Sequence, residues 1–203
     1  VVNDLTRAQA KGLEDQGAQF VDSPKAVAEQ CELVLSMLPH NDAVRAVGIG
    51  KGGLNEATSG AKAWIDFSSI DKATIVGVSD ELAKSGWTVA DASAGGVEEV
   101  AAAGQLALWL SGSKALFDEN QPIFEAMGKS VLHVGDLGNA KLVKNAMAML
   151  AAVQHMSLVE ICSWLKKGGA RRGHLPDHYQ ELSAGFGGHQ AHHGNRGERQ
   201  IQT

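Results

Sequence analysis

The sequence predicts an α/β fold, a mostly parallel and doubly wound sheet followed by one long helix and a tail read as disordered. Three observations predict it. Short apolar runs alternate with amphipathic stretches over the first two-thirds of the chain, as in successive βαβ units. Small residues are plentiful, with 24 Gly, while aromatics make up only 5% of 203 residues, a mixture that lets helices sit close on a sheet. From Gly168 onward apolar periodicity is lost and five of the eight histidines appear, so that segment has no face to bury.

Each element has a local reason. Val1–Val2 reads as the end of a strand and residues 6–16 as a helix closed by Gly17. Gln19–Val21 is a short strand, and Ser23 before Pro24 is an N-cap and first-turn pair opening a helix to about Glu29. "ELVLSMLP", Glu32 to Pro39, is a buried strand ended by proline, followed by a short helix from Asp42 to Val47. Ala63–Asp66 is a strand, residues 71–85 a helix closed by Gly86, and "WTVAD" a further strand. "QLALWLSG" is a strand, Ser113–Met127 one helix, and "SVLHVG" the last strand. A long helix then runs from about Ala140 to Lys167, ending in two lysines and two glycines, as a C-terminus favours. The expected division is 1–138 for the sheet domain, 139–167 for the long helix and 168–203 for the tail.

Composition narrows the function. The apolar fraction of 44% supports an ordinary core, and a net charge of −5 argues against a nucleic-acid partner or an anionic membrane surface. Cys31 and Cys162 lie far apart in no metal-ligand spacing and read as small buried residues in a reducing compartment. The most apolar run, Ala146 to Leu165, is broken by Gln154, His155, Ser157 and Glu160, so no membrane span is expected. Met147, Met149 and Met156 read as core packing, and His133 and His155 as satisfied structural histidines. His189, His192 and His193 in the tail could suggest a metal site, but an accidental cluster in a Gly-rich segment is the better reading, and no metal is expected.

The residues that carry chemistry begin with Asp4. An acid at the end of a second parallel strand can accept hydrogen bonds from an adenosine ribose, although it is also an ordinary strand-end acid. In "GDLGNAKLVKNAMAML", Lys141 and Asn145 sit four residues apart on one helix face. A lysine near a helix N-terminus opposes the dipole, which hints at a purpose beyond solubility. Ser68 and Ser69 are equally a helix cap before Asp71, Pro39 a strand terminator, and Gly95–Gly96 a flexible turn.

Taken in order, "VLSMLPHNDAVRAV", "GKGGL", "WIDFSSI", "DASAGGVEEVAAAGQLALWLSG" and "MGKSVLHVGDLGNAKLVKNAM" resemble the β-hydroxyacid dehydrogenase family over about residues 1–167. That family includes 3-hydroxyisobutyrate dehydrogenases and has a 6-phosphogluconate dehydrogenase-like NAD(P)-binding domain. The resemblance implies an incomplete Rossmann-type sheet lacking its first strand and glycine-rich turn. It implies Asp4, Leu38, Pro39 and Ser69 as cofactor-binding residues, Gly95, Gly96 and Asn145 as substrate-binding residues, and Lys141 as the catalytic acid/base. Gly95 stands where members usually carry serine and Val97 where they carry a second glycine, which changes the substrate loop. Leu5 follows Asp4 where NADP-preferring members often carry arginine, so NAD is favoured over NADP.

The implied reaction is hydride transfer between nicotinamide and a small β-hydroxy acid by a homo-oligomer. The expected location is cytoplasmic, with the mitochondrion as alternative. The tail resembles nothing in the family, which reads as a truncated gene with the end translated in a shifted frame. The chain as written is expected to be inactive. The rival readings are a non-catalytic dehydrogenase-like relic or interaction module, and a metal-binding His tail.

Overall fold

The computed structural model describes residues 1–169; the tail expectations, including His189, His192 and His193, lie outside the described residues. Five strands form one sheet in the order β1-β2-β3-β4-β5: β1 Leu33–Ser36, β2 Ala63–Asp66, β3 Thr88–Gly95, β4 Leu106–Gly112 and β5 Gly128–His133. β1, β2 and β3 pair in parallel, β3 and β4 antiparallel, and β4 and β5 in parallel. The helices are α1 Arg7–Glu14, α2 Pro24–Ala28, α3 Asn41–Ile49, α4 Lys72–Ala83, α5 Glu98–Ala102, α6 Lys114–Glu119, α7 Gln121–Met127 and α8 Asn139–Lys167.

Both faces of the sheet are covered because strand residues alternate. Trp64 and Val89 face α3 and α4 in a cluster with Val44, Ile75, Val78 and Leu82. Ile65, Ala90 and Ala92 face the opposite cluster, with Leu108, Leu110, Leu116 and Phe124. The handedness of crossovers explains the split. Right-handed connections from β1 to β2 to β3 put their helices on one face. Reversal of β4 sends the β4–β5 connection, with α6 and α7, to the other. The sheet is the expected doubly wound, mostly parallel one.

Several local expectations change. Val1–Val2 and Gln19–Val21 form only a single parallel bridge, Val2 to Phe20, outside the five-stranded sheet. β3 runs to Gly95, four residues past "WTVAD", because its antiparallel partner β4 continues to pair with it. The Ser113–Met127 helix is broken at Asn120: Pro122 in the first turn of α7 has no amide hydrogen to continue α6. α5 was not anticipated. Ser68 and Ser69 do not cap α4; Asp71 does, accepting from the Thr74 amide at 2.7 Å. That bond, with those from the Thr74 hydroxyl and Asn41, holds the Asp71 carboxyl below the usual carboxylate range.

The chain divides into two compact units, Val1–Met147 and Ala148–Thr203, so α8 begins in the first and continues into the second. Only Ala140 and Lys141 of α8 are buried. Met147, Met149 and Met156 are exposed, so their assignment to core packing is corrected. Periodicity shows that a helix is apolar but not what covers it. The expectation that no segment suits a membrane also changes: Asn139–Lys167 is long and apolar enough to cross one by length and composition alone. Between Lys144 and Lys166 the only formally charged residue is Glu160, so the interrupting polar residues cost the run little. His133 is satisfied as expected, its Nε2 3.0 Å from the Gly112 carbonyl and its ring tilted against Phe117. Cys31 and Cys162 are free thiols, half-buried.

Candidate active site

The C-terminal edge of the sheet carries a polar row that only the strand register reveals. Ser36 lies opposite Asp66, Asp66 opposite Asp91, and Asp91 opposite Ser111, across four adjacent strands. Residues on one rung share a face of the sheet. Asp66, Asp91 and Ser111 are buried. An interior pair of carboxylates is costly unless hydrogen bonds and a cation compensate it, and this row is built around that compensation.

Asp66 ends β2. Its Oδ1 accepts from the Ser36 hydroxyl at 2.7 Å and the Ser68 hydroxyl at 2.6 Å; its Oδ2 accepts from the Ser68 amide at 3.2 Å. Lys141, on the first turn of α8, supplies the cation. Its ammonium donates to the Asp66 carbonyl at 2.7 Å, to Asp66 Oδ2 at 3.1 Å and to the Ala92 carbonyl at 2.9 Å. All three N–H donors are therefore used, and the side chain is 1% exposed. The ammonium fills the fork where β3 runs on past the end of β2. Burial pulls the Lys141 pKa below the usual lysine value, opposed by the charge and hydrogen bond of Asp66 and by the charge of Asp91.

Asp91 and Ser111 hold the helix that carries this lysine. Asp91 Oδ1 accepts from the Gly138 amide at 2.6 Å and from the Ser111 hydroxyl, and Ser111 Oγ accepts from the Ala140 amide at 2.9 Å. Two amides that a helix start leaves without intrahelical partners are thus capped from β3 and β4. Lys72 adds a third tie, donating to Asn139 Oδ1 at 2.9 Å, while Asn139 donates to the Val134 carbonyl. Asp91 Oδ2 and the buried Ser93 hydroxyl have no partner among the described residues. Burial raises the Asp91 carboxyl above the usual carboxylate range, against the lowering effect of its hydrogen bonds with Ser111 and Gly138.

The other candidate residues are placed around this centre or apart from it. Leu38 and Pro39 follow β1, and the Leu38 amide donates to Ser68 Oγ at 2.8 Å. Ser68 is thus the buried, structural hydroxyl, while Ser69 is exposed. Gly95 ends β3 and Gly96 follows it. A Cβ on Gly95 would come within 2.9 Å of the Trp109 ring, and Gly96 has a φ of +147°, which favours glycine. The Trp109 indole therefore fills the space a serine side chain would need at position 95. Asn145 is exposed on the same face of α8. Asp4 is exposed and accepts from the Thr6 amide at 2.8 Å at the start of α1, within the first unit but outside the five-stranded sheet.

The donor set fits a nicotinamide-bearing ligand at two places. An exposed apolar lip, Met37 and Pro39, and the exposed Ser69 hydroxyl lie where β1 and β2 end, the edge at which open α/β sheets take ligands. Asp4 offers a carboxylate at the end of the Val2 segment, suited to ribose hydroxyls. A strand-to-helix glycine turn of the kind that holds a pyrophosphate is not among the described residues. Asp66, Asp91, Ser111, Trp109 and Lys144 were not picked out from sequence. Apart from Ser68, which is two residues from Asp66, the partners of the two acids are 20 to 75 residues away.

Comparison with known proteins places the sheet domain in a family. Residues 1–135 match the model of the NAD binding domain of 6-phosphogluconate dehydrogenase. The chain is 32% identical over 184 residues to 3-hydroxyisobutyrate dehydrogenase of Pseudomonas aeruginosa, covering 91% of this chain and 62% of that protein. Its fold is similar to that of Mycobacterium tuberculosis 3-hydroxyisobutyrate dehydrogenase solved with L-serine, with a TM-score of 0.76 at 24% identity over 93% of this chain and 62% of that one. Imine reductase from Myxococcus stipitatus is similar as a variant with NAD+ (TM-score 0.77, 16% identity, 90% of this chain and 62% of that one) and in complex with NADP+ (0.72, 17%, 90% and 61%). The chain spans 30 to 62% of the length of the curated relatives it matches.

Proposed function

We propose, from the premise that this chain belongs to the family of the 6-phosphogluconate dehydrogenase NAD-binding domain, that it handles cofactor and proton in a β-hydroxyacid dehydrogenase. The substrate would be a small β-hydroxy acid of the 3-hydroxyisobutyrate kind. The observation that carries the reading is the buried Lys141 ammonium at the fork of β2 and β3, at the ligand-binding edge of the sheet. Bound NAD(P) would supply the chemistry the chain lacks, accepting or giving a hydride at its nicotinamide ring. Asp4 would hold the adenosine ribose, with Leu38, Pro39 and Ser69 lining the nicotinamide end. Gly95, Gly96 and Asn145 would seat the acid.

Lys141 handles the proton. Oxidation of the alcohol leaves a hydroxyl proton for a neutral amine to take, and reduction needs an ammonium to give one. Three hydrogen bonds from Nζ to oxygen acceptors define the resting group as the ammonium, the form reduction calls on, and one of those bonds must be given up before the proton reaches a substrate. Oxidation requires that proton to leave first, and burial makes its loss easier. The sign follows. Alcohol oxidation is expected to rise with pH through a Lys141 pKa below the usual lysine value, and reduction to fall over the same window. Because the unfolded chain holds this proton more tightly, Lys141 also makes stability rise with pH there. Titration followed by NMR of the lysine Nζ groups checks the pKa; a Lys141 titrating at or above the usual lysine value would refute this role.

NAD is favoured over NADP. Asp4 would repel a 2′-phosphate and Leu5 offers no cation. The next arginine in the sequence, Arg7, is paired with Glu14 at 2.8 Å and lies over Phe20. The exposed apolar side chains of α8 would be covered by the remaining part of such an enzyme and by a second copy. Two free thiols suit a reducing compartment, the cytoplasm or the mitochondrion. NADH fluorescence is expected to change on titration with the 203-residue chain, more tightly than NADPH and without turnover. A flat response to both would favour the non-catalytic relic or interaction module.

A further inference from the structure

Two buried carboxyl groups stand in the polar row, and the buried ammonium is committed to one of them. The three N–H donors of Lys141 go to the Asp66 carbonyl, Asp66 Oδ2 and the Ala92 carbonyl, so none reaches Asp91. Asp91 Oδ1 accepts from the Gly138 amide at 2.6 Å and from the Ser111 hydroxyl. Its Oδ2 is buried and has no hydrogen-bond partner among the described residues. An ionised carboxylate carries charge on both oxygens and needs donors at both, whereas a neutral acid presents one acceptor oxygen and one O–H. The one-sided hydrogen bonding of Asp91 is that of the neutral acid.

The groups around it favour the same state. Across one rung, on β2, stands Asp66, a charge of the same sign. Across the other, on β4, Ser111 is neutral and donates to Oδ1. From α8 Lys141 faces the row with its hydrogen bonds spent, and from α4 Lys72 donates to Asn139. Burial acts most strongly on the Asp91 carboxyl and favours its protonated form, outweighing its hydrogen bonds and the charge of Lys141. Two residues along β3, on the same face, the Ser93 hydroxyl is 2% exposed and also without a partner among the described residues. The two atoms make no direct hydrogen bond, and one bridging water satisfies both.

We propose that Asp91 is a proton-holding group, a neutral acid at neutral pH whose proton sits on Oδ2 and is directed through one water to the Ser93 hydroxyl. The row then carries a single negative charge, on Asp66, matched by the single positive charge of Lys141. Asp91 is a positioning residue that acts through Lys141. It fixes the start of α8 with Oδ1 and adds no second anion that would tighten the hold of Lys141 on its proton. The protonation state stands by itself, and its consequence for the reaction rests on the proposed dehydrogenase reading.

The test is carbon-13 NMR of the 203-residue chain labelled at its aspartate carboxyls. The Asp91 signal, identified by its loss in Asp91→Asn, is expected at the position of a protonated carboxyl at neutral pH, moving to the carboxylate position only as pH is raised. By electrophoresis at neutral pH, Asp91→Asn should leave the net charge unchanged, whereas Asp22→Asn, at an exposed acid, should make it one charge more positive. Ser93→Ala should weaken proton binding by Asp91 about 3- to 10-fold, the loss of one hydrogen-bonded acceptor. An Asp91 signal at the carboxylate position at neutral pH overturns the inference. So does a one-charge change in Asp91→Asn, or a Ser93→Ala chain that holds the proton as tightly as the wild type or more so. If Asp91→Asn fails to fold, the signal is assigned through the Asp91 backbone of the wild-type chain and judged by the same outcomes. A protonated Asp91 with no response to NADH or NADPH sinks the dehydrogenase reading alone, and a dinucleotide response with an ionised Asp91 sinks this inference alone.

Discussion

Lys141→Met is expected to lower hydride-transfer turnover about 10³-fold in any active form carrying this sequence, the scale of a lost general acid/base. In the 203-residue chain it is expected to cost about 3 kcal/mol of stability, because it strips the buried Asp66 of its cation. The two effects have separate causes, and a second substitution separates them. Lys141→Met with Asp66→Asn removes both charges and should regain most of the lost stability in urea denaturation, while turnover stays as low as in the single variant. If the double variant recovered turnover, Lys141 would be a structural counter-ion and no acid/base. If the single variant were as stable as the wild type, Asp66 would not depend on it.

Asp91→Ala is expected to cost about 3 kcal/mol, since it leaves the Gly138 amide and the Ser111 hydroxyl without their acceptor at the start of α8. Asp91→Asn should cost under about 1 kcal/mol at neutral pH, because an amide oxygen can accept the same hydrogen bonds. The pH dependence gives the sign. Burial raises the folded-state pKa of Asp91 above its unfolded value, so its contribution is fully present below the unfolded pKa and lost as pH rises through the folded one. Asn does not titrate, so the stability of Asp91→Asn relative to wild type should improve as pH rises across that window. Urea denaturation at several pH values measures this, and a pH-independent difference would place the charge of Asp91 outside the balance.

Together these substitutions probe one construction. Ser36, Asp66, Asp91 and Ser111 form a row, Lys141 pairs with its Asp66, and two members of the row cap the helix that delivers Lys141. The lysine is placed by the groups it compensates, so its position and its proton affinity have the same origin.

Local pattern was enough for much of the chain. Ala63–Asp66 is a strand as its apolar run indicated, and Ser23 caps α2 with Pro24 in its first turn. Asn145 lies on the Lys141 face of α8 because residues four apart always do. The same local reasoning joined α6 to α7, made core residues of Met147, Met149 and Met156, and chose Ser69 without seeing that Ser68 is the buried partner of Asp66. Pro122 and the Ser68–Asp66 contact are local but compete with equally plausible local patterns, and the exposure of the methionines is a matter of packing, not of periodicity.

What the residues determined by themselves is the alternation of strands and helices, the apolar faces, and the presence of a lysine where a helix start disfavours one. These depend on neighbours within a turn or two. What only the tertiary structure decided is the meaning of that lysine. Its acceptors are 75 and 49 residues away, and the polar row that receives it exists only in one strand register. Periodicity is a local property of the chain. Burial, charge compensation and proton affinity arise where distant segments meet, and so they are set by packing.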